Sequence, residues 1–213
     1  MIKNTQQIEL WSGDFGNAYV DRNPQSVAEL DALYEKDYGI TRSALNEEFF
    51  GALDRNAKIL EVGANIGLQL GALQRMGFKN LLGVEINDYA VSQAKKLHPE
   101  VDIIKGSAFD LPFRDNYFNL VYTSGVLIHI APGNLPKAMG EIVRVSKNFV
   151  WGLEYFADEP TDIEYRGKKG FLWKRDFSAM YQELFPSLSV VKEKMLPMVG
   201  SQNSSQMFLL EKQ

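Results

Sequence analysis

Short apolar runs alternate with amphipathic segments through the middle of the chain. Five apolar runs have the length of buried strands and lie at residues 58–62, 81–86, 101–105, 118–123 and 149–153. Helical patterns lie between them at residues 67–76, 89–97 and 135–145. Strands that alternate with helices predict an α/β fold, with a mostly parallel sheet and helices on both of its faces.

The two ends of the chain depart from this alternation. Residues 24–50 carry apolar positions at helical spacing and predict a helical stretch that opens at Pro24. Residues 189–194 and 206–211 have the composition of strands and are joined by a polar segment without a helix. Such a pair predicts an antiparallel hairpin at the sheet edge, which brings the predicted sheet to seven strands.

Composition excludes several function classes. The chain of 213 residues has a formal net charge of −4, and proteins that bind nucleic acid in general usually carry a basic surplus, so nucleic acid is not an expected partner. The absence of cysteine excludes disulfides, cysteine-ligated zinc and a cysteine nucleophile. Because no apolar leader or run long enough for a membrane span is present, we predict a cytoplasmic protein without a membrane partner.

The first strand leads into a glycine-containing turn, Glu61-Val-Gly-Ala-Asn-Ile-Gly67, and then into a helix. Gly63 and Gly67 permit positive φ angles, and the N–H groups at the helix start can bind an anionic group. The dinucleotide motif G-x-G-x-x-G is absent because Asn65 occupies its middle position. The turn therefore predicts a nucleotide-like ligand that is not a typical dinucleotide.

Two further segments follow the next strands and point to the same ligand. Glu85 ends the second strand, where a carboxylate can accept both hydroxyls of a ribose, and Ile86 would then pack on an adenine ring. The alternative for Glu85 is a surface acid that caps the following helix. Ser107, Ala108 and Phe109 follow the third strand, where they could contact the adenine edge. Because the carboxyl ends of parallel strands share one edge, we expect these segments to converge.

These segments resemble the class I, Rossmann-like methyltransferases over residues 57–150. The resemblance implies that S-adenosylmethionine is the cofactor, with its methionine part at the ExGxxxG motif and its ribose at Glu85. Family members often have an acid in the adenine motif, where this chain has Ser107, so any contact with the adenine amino group is expected to differ. The expected cofactor-binding residues are Glu61, Gly63, Ala64, Asn65, Gly67, Glu85, Ile86, Ser107, Ala108, Phe109, Ser124, Tyr19 and Arg22.

A narrower resemblance extends over most of the chain. The strings FGNAYVDRN, near the N-terminus, and GLEYFADEPTDIEYRGKKGFLWKRDF, after the fifth strand, are similar to methyltransferases associated with pseudaminic acid biosynthesis. This resemblance implies a small-molecule substrate of surface-glycan synthesis, an acidic sugar or a sugar nucleotide.

His129 follows the fourth strand and matches the family's V-L-x-H segment. A general base accelerates transfer to an unactivated hydroxyl by roughly 10²–10⁴-fold, so His129 is the candidate catalytic residue. In the alternative interpretation, the His129 ring hydrogen-bonds the backbone and orders the loop. No cluster of histidines and acids predicts a metal site.

Aromatic and cationic side chains are concentrated in two segments that flank the core. The N-terminal segment contains Trp11, Phe15, Tyr19 and Arg22, which predict either a lid over the cofactor or an ordinary packing helix. Gly13 and Gly16 weigh against the helix, because a glycine destabilises a helix interior by about 1 kcal/mol.

The second such segment follows the fifth strand. Its expected substrate-binding residues are Tyr155, Tyr165, Arg166, Trp173, Lys174 and Arg175. Arginine pairs with carboxylate or phosphate, and aromatic rings stack on sugar faces. A solvated charged loop is the alternative.

These predictions combine into one domain. It comprises an N-terminal helical lid (1–50), a cofactor-binding core (51–153), a substrate insertion (154–186) and the C-terminal hairpin (187–213). Two other functions stay open: a catalytically silent scaffold that binds S-adenosylmethionine within a glycan-assembly complex, and an NAD-linked sugar oxidoreductase. Asn65 and the absence of a Tyr-x-x-x-Lys pair after the fourth strand disfavour the oxidoreductase. Oligomeric state has no signal in the sequence.

Overall fold

The computed structural model describes residues 5–213 of the chain. The first four residues of the predicted segment 1–50 lie outside this range. Backbone contacts divide the chain into two compact units, which meet at the junction between Ser107 and Ala108. The first unit contains the glycine turn, and the second contains His129 and the predicted substrate insertion.

The first unit has helices before and between its strands. The helices within residues 5–107 are α1 (Gln6–Ser12), α2 (Asp14–Arg22), α3 (Val27–Tyr38), α4 (Arg42–Phe50), α5 (Leu68–Arg75) and α6 (Asp88–Leu97). The strands in the same range are β1 (Lys58–Val62), β2 (Asn80–Glu85) and β3 (Asp102–Lys105). They run parallel in the order β3-β2-β1, with Val62 opposite Val84 and Glu85 opposite Lys105.

The predicted helical stretch 24–50 consists of two helices. Gly39 ends α3 with φ 71°, a left-handed conformation that glycine adopts without steric cost. The side chains of Ser26 and Thr41 cap the two N-termini by accepting from backbone amides of the first turn. The apolar spacing predicted one continuous helical stretch, and the capping residues divide it into two helices.

The second unit combines a parallel strand pair with an antiparallel hairpin. Its strands are β4 (Phe118–Ser124), β5 (Ser146–Phe156), β6 (Thr161–Asp162), β7 (Trp173–Lys174), β8 (Leu188–Pro197) and β9 (Ser204–Lys212). Its helices are α7 (Leu135–Val145) and α8 (Phe177–Leu184), with 3₁₀ turns at Leu127–His129 and Pro132–Asn134. β4 pairs with β5 in parallel, whereas β9 is antiparallel to both β5 and β8. β6 and β7 form a separate small hairpin.

Close packing between β5 and β9 explains a glycine in the middle of a buried strand. A Cβ atom at Gly152 would lie 2.2 Å from the ring of Phe208 on the neighbouring strand. On the same strand, Trp151 meets Tyr122 of β4 edge to face, with 5.4 Å between ring centroids. The second unit therefore has an aromatic core around β5, the strand that leads into the substrate insertion.

The predicted α/β class is confirmed: the long strands are mostly parallel and the chain ends in the antiparallel pair β8–β9. The substrate insertion differs in detail from the prediction. β5 extends to Phe156, and the following segment contains the β6–β7 hairpin and α8. Within residues 5–213, no helix combines the length and the apolar character needed to cross a membrane.

Candidate functional site

The turn after β1 has an unusual backbone that the sequence explains. Gly63, Asn65 and Gly67 all have positive φ angles, of 78°, 48° and 83°. A Cβ atom at Gly67 would lie 2.9 Å from Ile103 Cδ1, so a larger residue would strain both the backbone and its packing. Asparagine is among the few other residues that tolerate the left-handed region. The turn is therefore a preformed concave backbone at the start of α5.

Two hydrogen bonds tie this turn to the neighbouring strand. The amides of Gly63 and Ala64 both donate to the carbonyl oxygen of Val84, at 2.8 and 3.1 Å. Glu61, on β1 just before the turn, is buried with 4% of its surface exposed. The predicted methionine-binding residues thus lie together at the carboxyl end of β1.

Glu85 supports the same turn from β2. Its Oε2 accepts from the Asn65 amide and its Oε1 accepts from the Asn87 amide, both at 2.8 Å. Burial raises the pKa of this carboxyl group, and the amide hydrogen bonds oppose that shift. Each carboxylate oxygen has two lone pairs, so Glu85 can accept ribose hydroxyls as well. The sequence predicted the ribose contact but missed the role of Glu85 in bracing the turn.

Asn87 is a polar residue that the sequence analysis overlooked. Its Oδ1 accepts from the Ala90 amide at 2.9 Å and caps α6, so the alternative in which Glu85 caps this helix is wrong. Its Nδ2 donates to the carbonyl oxygen of Trp11 at 2.8 Å and to Asn17 Oδ1 at 3.0 Å. Asn87 therefore connects the Glu85 segment to the two N-terminal helices.

The N-terminal aromatic residues form one cluster. Trp11 meets Phe15 and Tyr19 edge to face at centroid distances of 5.4 and 5.1 Å, and the Arg22 guanidinium lies 5.2 Å from the Tyr19 ring. Helices form here despite Gly13 and Gly16, contrary to the expectation from helix propensity. Gly13 separates α1 from α2, and at Gly16 a Cβ atom would lie 1.9 Å from the Trp11 carbonyl oxygen. Close packing at Gly16 thus outweighs the low helix propensity of glycine. The lid function of this segment stays a prediction.

The predicted adenine-contacting residues lie at strand ends. Ile86 directly follows β2 and is partly exposed, as is Ser107 after β3. In the second unit, Ala108 is partly exposed and Phe109 is buried, whereas Ser124 is the last residue of β4. The adenine contacts of the first four of these residues and the cofactor contact of Ser124 stay predictions.

A buried acid holds the loop that carries the candidate base. Glu154 of β5 is 1% exposed, and its two oxygens accept from the amides of Val126 and Ile128 at 3.2 and 3.4 Å. Burial raises the pKa of Glu154 to about 7, against the lowering effect of these hydrogen bonds. Glu154 was not among the predicted site residues, because its only local signal is an acid at the end of an apolar run.

His129 ends the 3₁₀ turn that Glu154 holds. Its Nδ1 lies 2.8 Å from the Phe171 carbonyl oxygen, which can only accept, so Nδ1 carries the proton and the lone pair is on Nε2. Burial lowers the pKa of His129 to about 4, which keeps the ring neutral at physiological pH. The loop-ordering contact exists in the structure, and the neutral ring is also chemically suited to accept a proton at Nε2.

Three of the six predicted substrate-binding residues line a cavity of about 200 Å³ in the second unit. They are Tyr155, Tyr165 and Lys174. The remaining lining residues are Ile163, Leu172, Met198 and Asn203. The cavity adjoins the candidate base, because the His129 ring lies 5.2 Å from the Tyr165 ring, centroid to centroid.

The other three predicted substrate-binding residues do not line this cavity. Trp173 and Arg175 flank Lys174, and successive side chains of a strand point to opposite faces. Arg166 is exposed in the left-handed turn of the hairpin, with its guanidinium 5.9 Å from the Tyr165 ring. Across the described part of the chain, no group of three or more histidines and acids could hold a metal ion.

The comparison with known proteins identifies the core of this arrangement. Residues 60–149 match the model of a methyltransferase domain family. A sterol 24-C-methyltransferase of Schizosaccharomyces pombe is 32% identical over 97 residues, which are 43% of this chain and 25% of that protein. The chain thus spans about a quarter of the length of this relative.

Two solved structures share the fold. The 1,6-didemethyltoxoflavin-N1-methyltransferase of Burkholderia thailandensis was solved with bound 1,6-didemethyltoxoflavin and S-adenosylhomocysteine. It has a TM-score of 0.70 at 14% identity, and the alignment covers 100% of this chain and 91% of that chain. The [4+2]-cyclase SpnF has a TM-score of 0.63 at 15% identity, over 80% of this chain and 79% of its own.

The fold is therefore that of the class I methyltransferases, and residues 60–149 are similar to a methyltransferase domain. This match supports the predicted enzyme class with S-adenosylmethionine as its cofactor. The glycine turn, Glu85 and the loop that Glu154 holds all fall within or beside the matched range.

Proposed function

We propose that this protein is an S-adenosylmethionine-dependent methyltransferase that acts on a small acidic molecule, an acidic sugar or a sugar nucleotide of surface-glycan synthesis. The observation that carries the proposal is the turn 61–67, whose three positive φ angles form a backbone cradle braced by a buried carboxylate, Glu85. The resemblance to methyltransferases associated with pseudaminic acid biosynthesis supports the substrate class.

The residues of the first unit fit this cofactor. The amides of Gly63, Ala64, Asn65 and Gly67 are bonded within the protein, so the N–H groups at the start of α5 are the donors that suit a carboxylate. Glu61 can accept from an amino group and Glu85 from ribose hydroxyls. When bound, S-adenosylmethionine supplies an electrophilic methyl group on a sulfonium. The protein then has to orient the acceptor for in-line attack and exclude water.

His129 is suited to remove a proton from a hydroxyl acceptor. The Phe171 carbonyl fixes the proton on Nδ1, so the lone pair of Nε2 is the basic atom. The lowered pKa keeps this atom unprotonated throughout the physiological range and also makes it a weak base, so the proton would be taken as the methyl group is transferred. For an amine acceptor that arrives neutral, the ring would instead have a positioning role beside Tyr165.

The sterol methyltransferase match does not extend to the proposed substrate. It covers less than half of this chain and a quarter of that protein. The residues that line the cavity, from Tyr155 to Asn203, all lie outside the matched domain at 60–149. Substrate recognition therefore has to be inferred from the second unit itself.

Binding and turnover together test the proposal. We expect S-adenosylhomocysteine to bind the wild-type protein in calorimetry, and NADH to give no heat under the same conditions. We also expect methyl transfer from labelled S-adenosylmethionine to acidic sugars. His129→Gln should lower kcat by roughly 10²–10⁴-fold while cofactor binding is retained. Absence of S-adenosylhomocysteine binding at millimolar concentration would refute the proposal.

A scaffold without methyltransferase activity is the second candidate. The cyclase SpnF shares the fold, and a fold does not by itself determine the reaction. This candidate predicts cofactor binding without methyl transfer to any acidic sugar, and a His129→Gln variant that binds the cofactor as the wild type does.

A further inference from the structure

The cavity of the second unit is built from three segments that are far apart in the sequence. The end of β5 contributes Tyr155, the connection between β6 and β7 contributes Tyr165, and β7 contributes Lys174. The connection between β8 and β9 contributes Met198 and Asn203. The C-terminal hairpin, which completes the sheet, therefore also forms one wall of this cavity.

Lys174 is the one charged side chain among the residues that line the cavity. Its ammonium group donates to Asn203 Oδ1 and lies 5.9 Å from the centroid of the Tyr155 ring. Partial burial lowers the pKa of Lys174, since the surroundings disfavour its charged form. No lining residue is acidic, so an anionic ligand would supply the opposite charge that this lysine lacks.

The other walls favour a compact ring. Two tyrosines and the aliphatic residues Ile163 and Leu172 present mostly apolar surface. The cavity has a volume of about 200 Å³ and is open to solvent, so it offers room for a ring with its substituents while the rest of a larger ligand extends outside.

We propose that this cavity is an anion-binding subsite for the methyl acceptor. Lys174 pairs with a carboxylate or phosphate of the acceptor, and the faces of Tyr155 and Tyr165 contact its ring. Asn203 orients the lysine ammonium from the C-terminal hairpin. The identity of the ligand as the acceptor rests on the proposed function, and the contact of Tyr165 with the His129 ring is what links the subsite to the chemistry.

A methionine in the cavity wall provides a direct probe that does not depend on activity. The chain contains seven methionines, whose methyl groups can be labelled with ¹³C and observed by NMR. The Met198 signal is the one that disappears in the Met198→Leu variant. The probes are N-acetylneuraminate and its neutral methyl ester, together with glucose 6-phosphate and neutral glucose. We expect at least one of the two anions to shift the Met198 signal, and its neutral counterpart to shift it at least tenfold less strongly at equal concentration.

Matched lysine variants then test the assignment. Lys174→Met should weaken binding of the anion at least tenfold, whereas Lys169→Met, at an exposed position outside the cavity, should leave it unchanged. Lys174→Gln serves as a second variant, and the other methionine signals report whether each variant is folded. The carboxylate and phosphate probes show which anion the subsite prefers.

Several results would overturn the subsite. The first is a Met198 signal that does not shift with either anion at about 20 mM. The second is an equal shift with the neutral compounds. The third is undiminished anion binding in a folded Lys174→Met variant. Calorimetry with S-adenosylhomocysteine on the same samples separates the two proposals. Cofactor binding with no anion response refutes the subsite alone. An anion response without cofactor binding refutes the proposed function and the identity of the ligand as the acceptor, and it leaves the anion-binding cavity itself in place.

Discussion

Glu85 illustrates, at the scale of single residues, how one side chain serves both the fold and the site. Its carboxylate accepts from the amides of Asn65 in the glycine turn and Asn87 at the start of α6. A motif assigns the residue to a ligand, but the structure shows that it also shapes the turn. Loss of the carboxylate should therefore affect both affinity and stability.

We predict that Glu85→Ala weakens S-adenosylhomocysteine binding at least tenfold in calorimetry. In urea unfolding it should lower the free energy of unfolding by about 1–3 kcal/mol, because buried amides lose their acceptor. Asp88→Ala is the control, since that acid is largely exposed three residues further along. Unchanged affinity in the Glu85 variant would show that the ribose assignment is wrong.

Glu154 gives the second prediction at this scale. Its folded-state pKa of about 7 lies above the ordinary glutamate value of 4.5, so the folded state binds a proton more tightly than the unfolded state. This contribution to stability is complete below pH 4.5 and is lost as the pH rises toward 7. Each pKa unit corresponds to about 1.4 kcal/mol, which sets an upper bound of about 3 kcal/mol for the loss.

Glu154→Gln should remove this part of the pH dependence. We expect the wild-type free energy of unfolding to fall more steeply than that of the variant between pH 5 and pH 8, by about 1–3 kcal/mol in urea titrations. Comparison with the variant cancels the opposite effect of His129, whose lowered pKa favours folding as the pH rises. Parallel pH profiles for the two proteins would contradict the buried-acid interpretation.

At the scale of elements, Asn87 attaches the N-terminal helices to the β2–α6 connection. Its side chain donates to Trp11 and Asn17, and the Tyr89 hydroxyl donates to Asp21 at 2.7 Å. These few polar contacts accompany the aromatic cluster on α1 and α2. A segment attached in this way is expected to open independently of the sheet.

We predict that Asn87→Ala increases amide hydrogen exchange across α1 and α2, while β1 and β2 keep their protection. The substitution also removes the cap of α6, which typically costs about 1 kcal/mol. Asn87→Asp separates these effects, since its carboxylate can still cap α6 but cannot donate to Trp11 or Asn17. Unaltered exchange in both variants would show that Asn87 does not hold these helices.

At the scale of the whole molecule, the matched methyltransferase domain and the proposed specificity lie in different parts of the chain. A structure only 14% identical aligns with all of this chain at a TM-score of 0.70, whereas the domain match stops at residue 149. The cavity begins at Tyr155 and is completed by Asn203. The domain match together with the fold supports the methyltransferase class, and the segments after β5 are where substrate identity has to be sought.

The sequence by itself determined the features that depend on local pattern. Alternating apolar runs predicted the strands, and the terminal hairpin followed from two strand patterns without a helix between them. The glycine turn was also readable, because positive φ angles restrict the residue types at 63, 65 and 67. All of these signals are short stretches whose spacing reports backbone conformation directly.

Only the tertiary structure decided which polar groups meet. Asn87 contacts Trp11 across 76 residues of sequence, and Glu154 accepts from Val126 across 28. It also decided that Lys174, and not its strand neighbours, shares a cavity with Asn203. Such contacts leave no periodic pattern along the chain. They form because packing brings distant segments together, and the polar atoms that become buried there need hydrogen-bond partners.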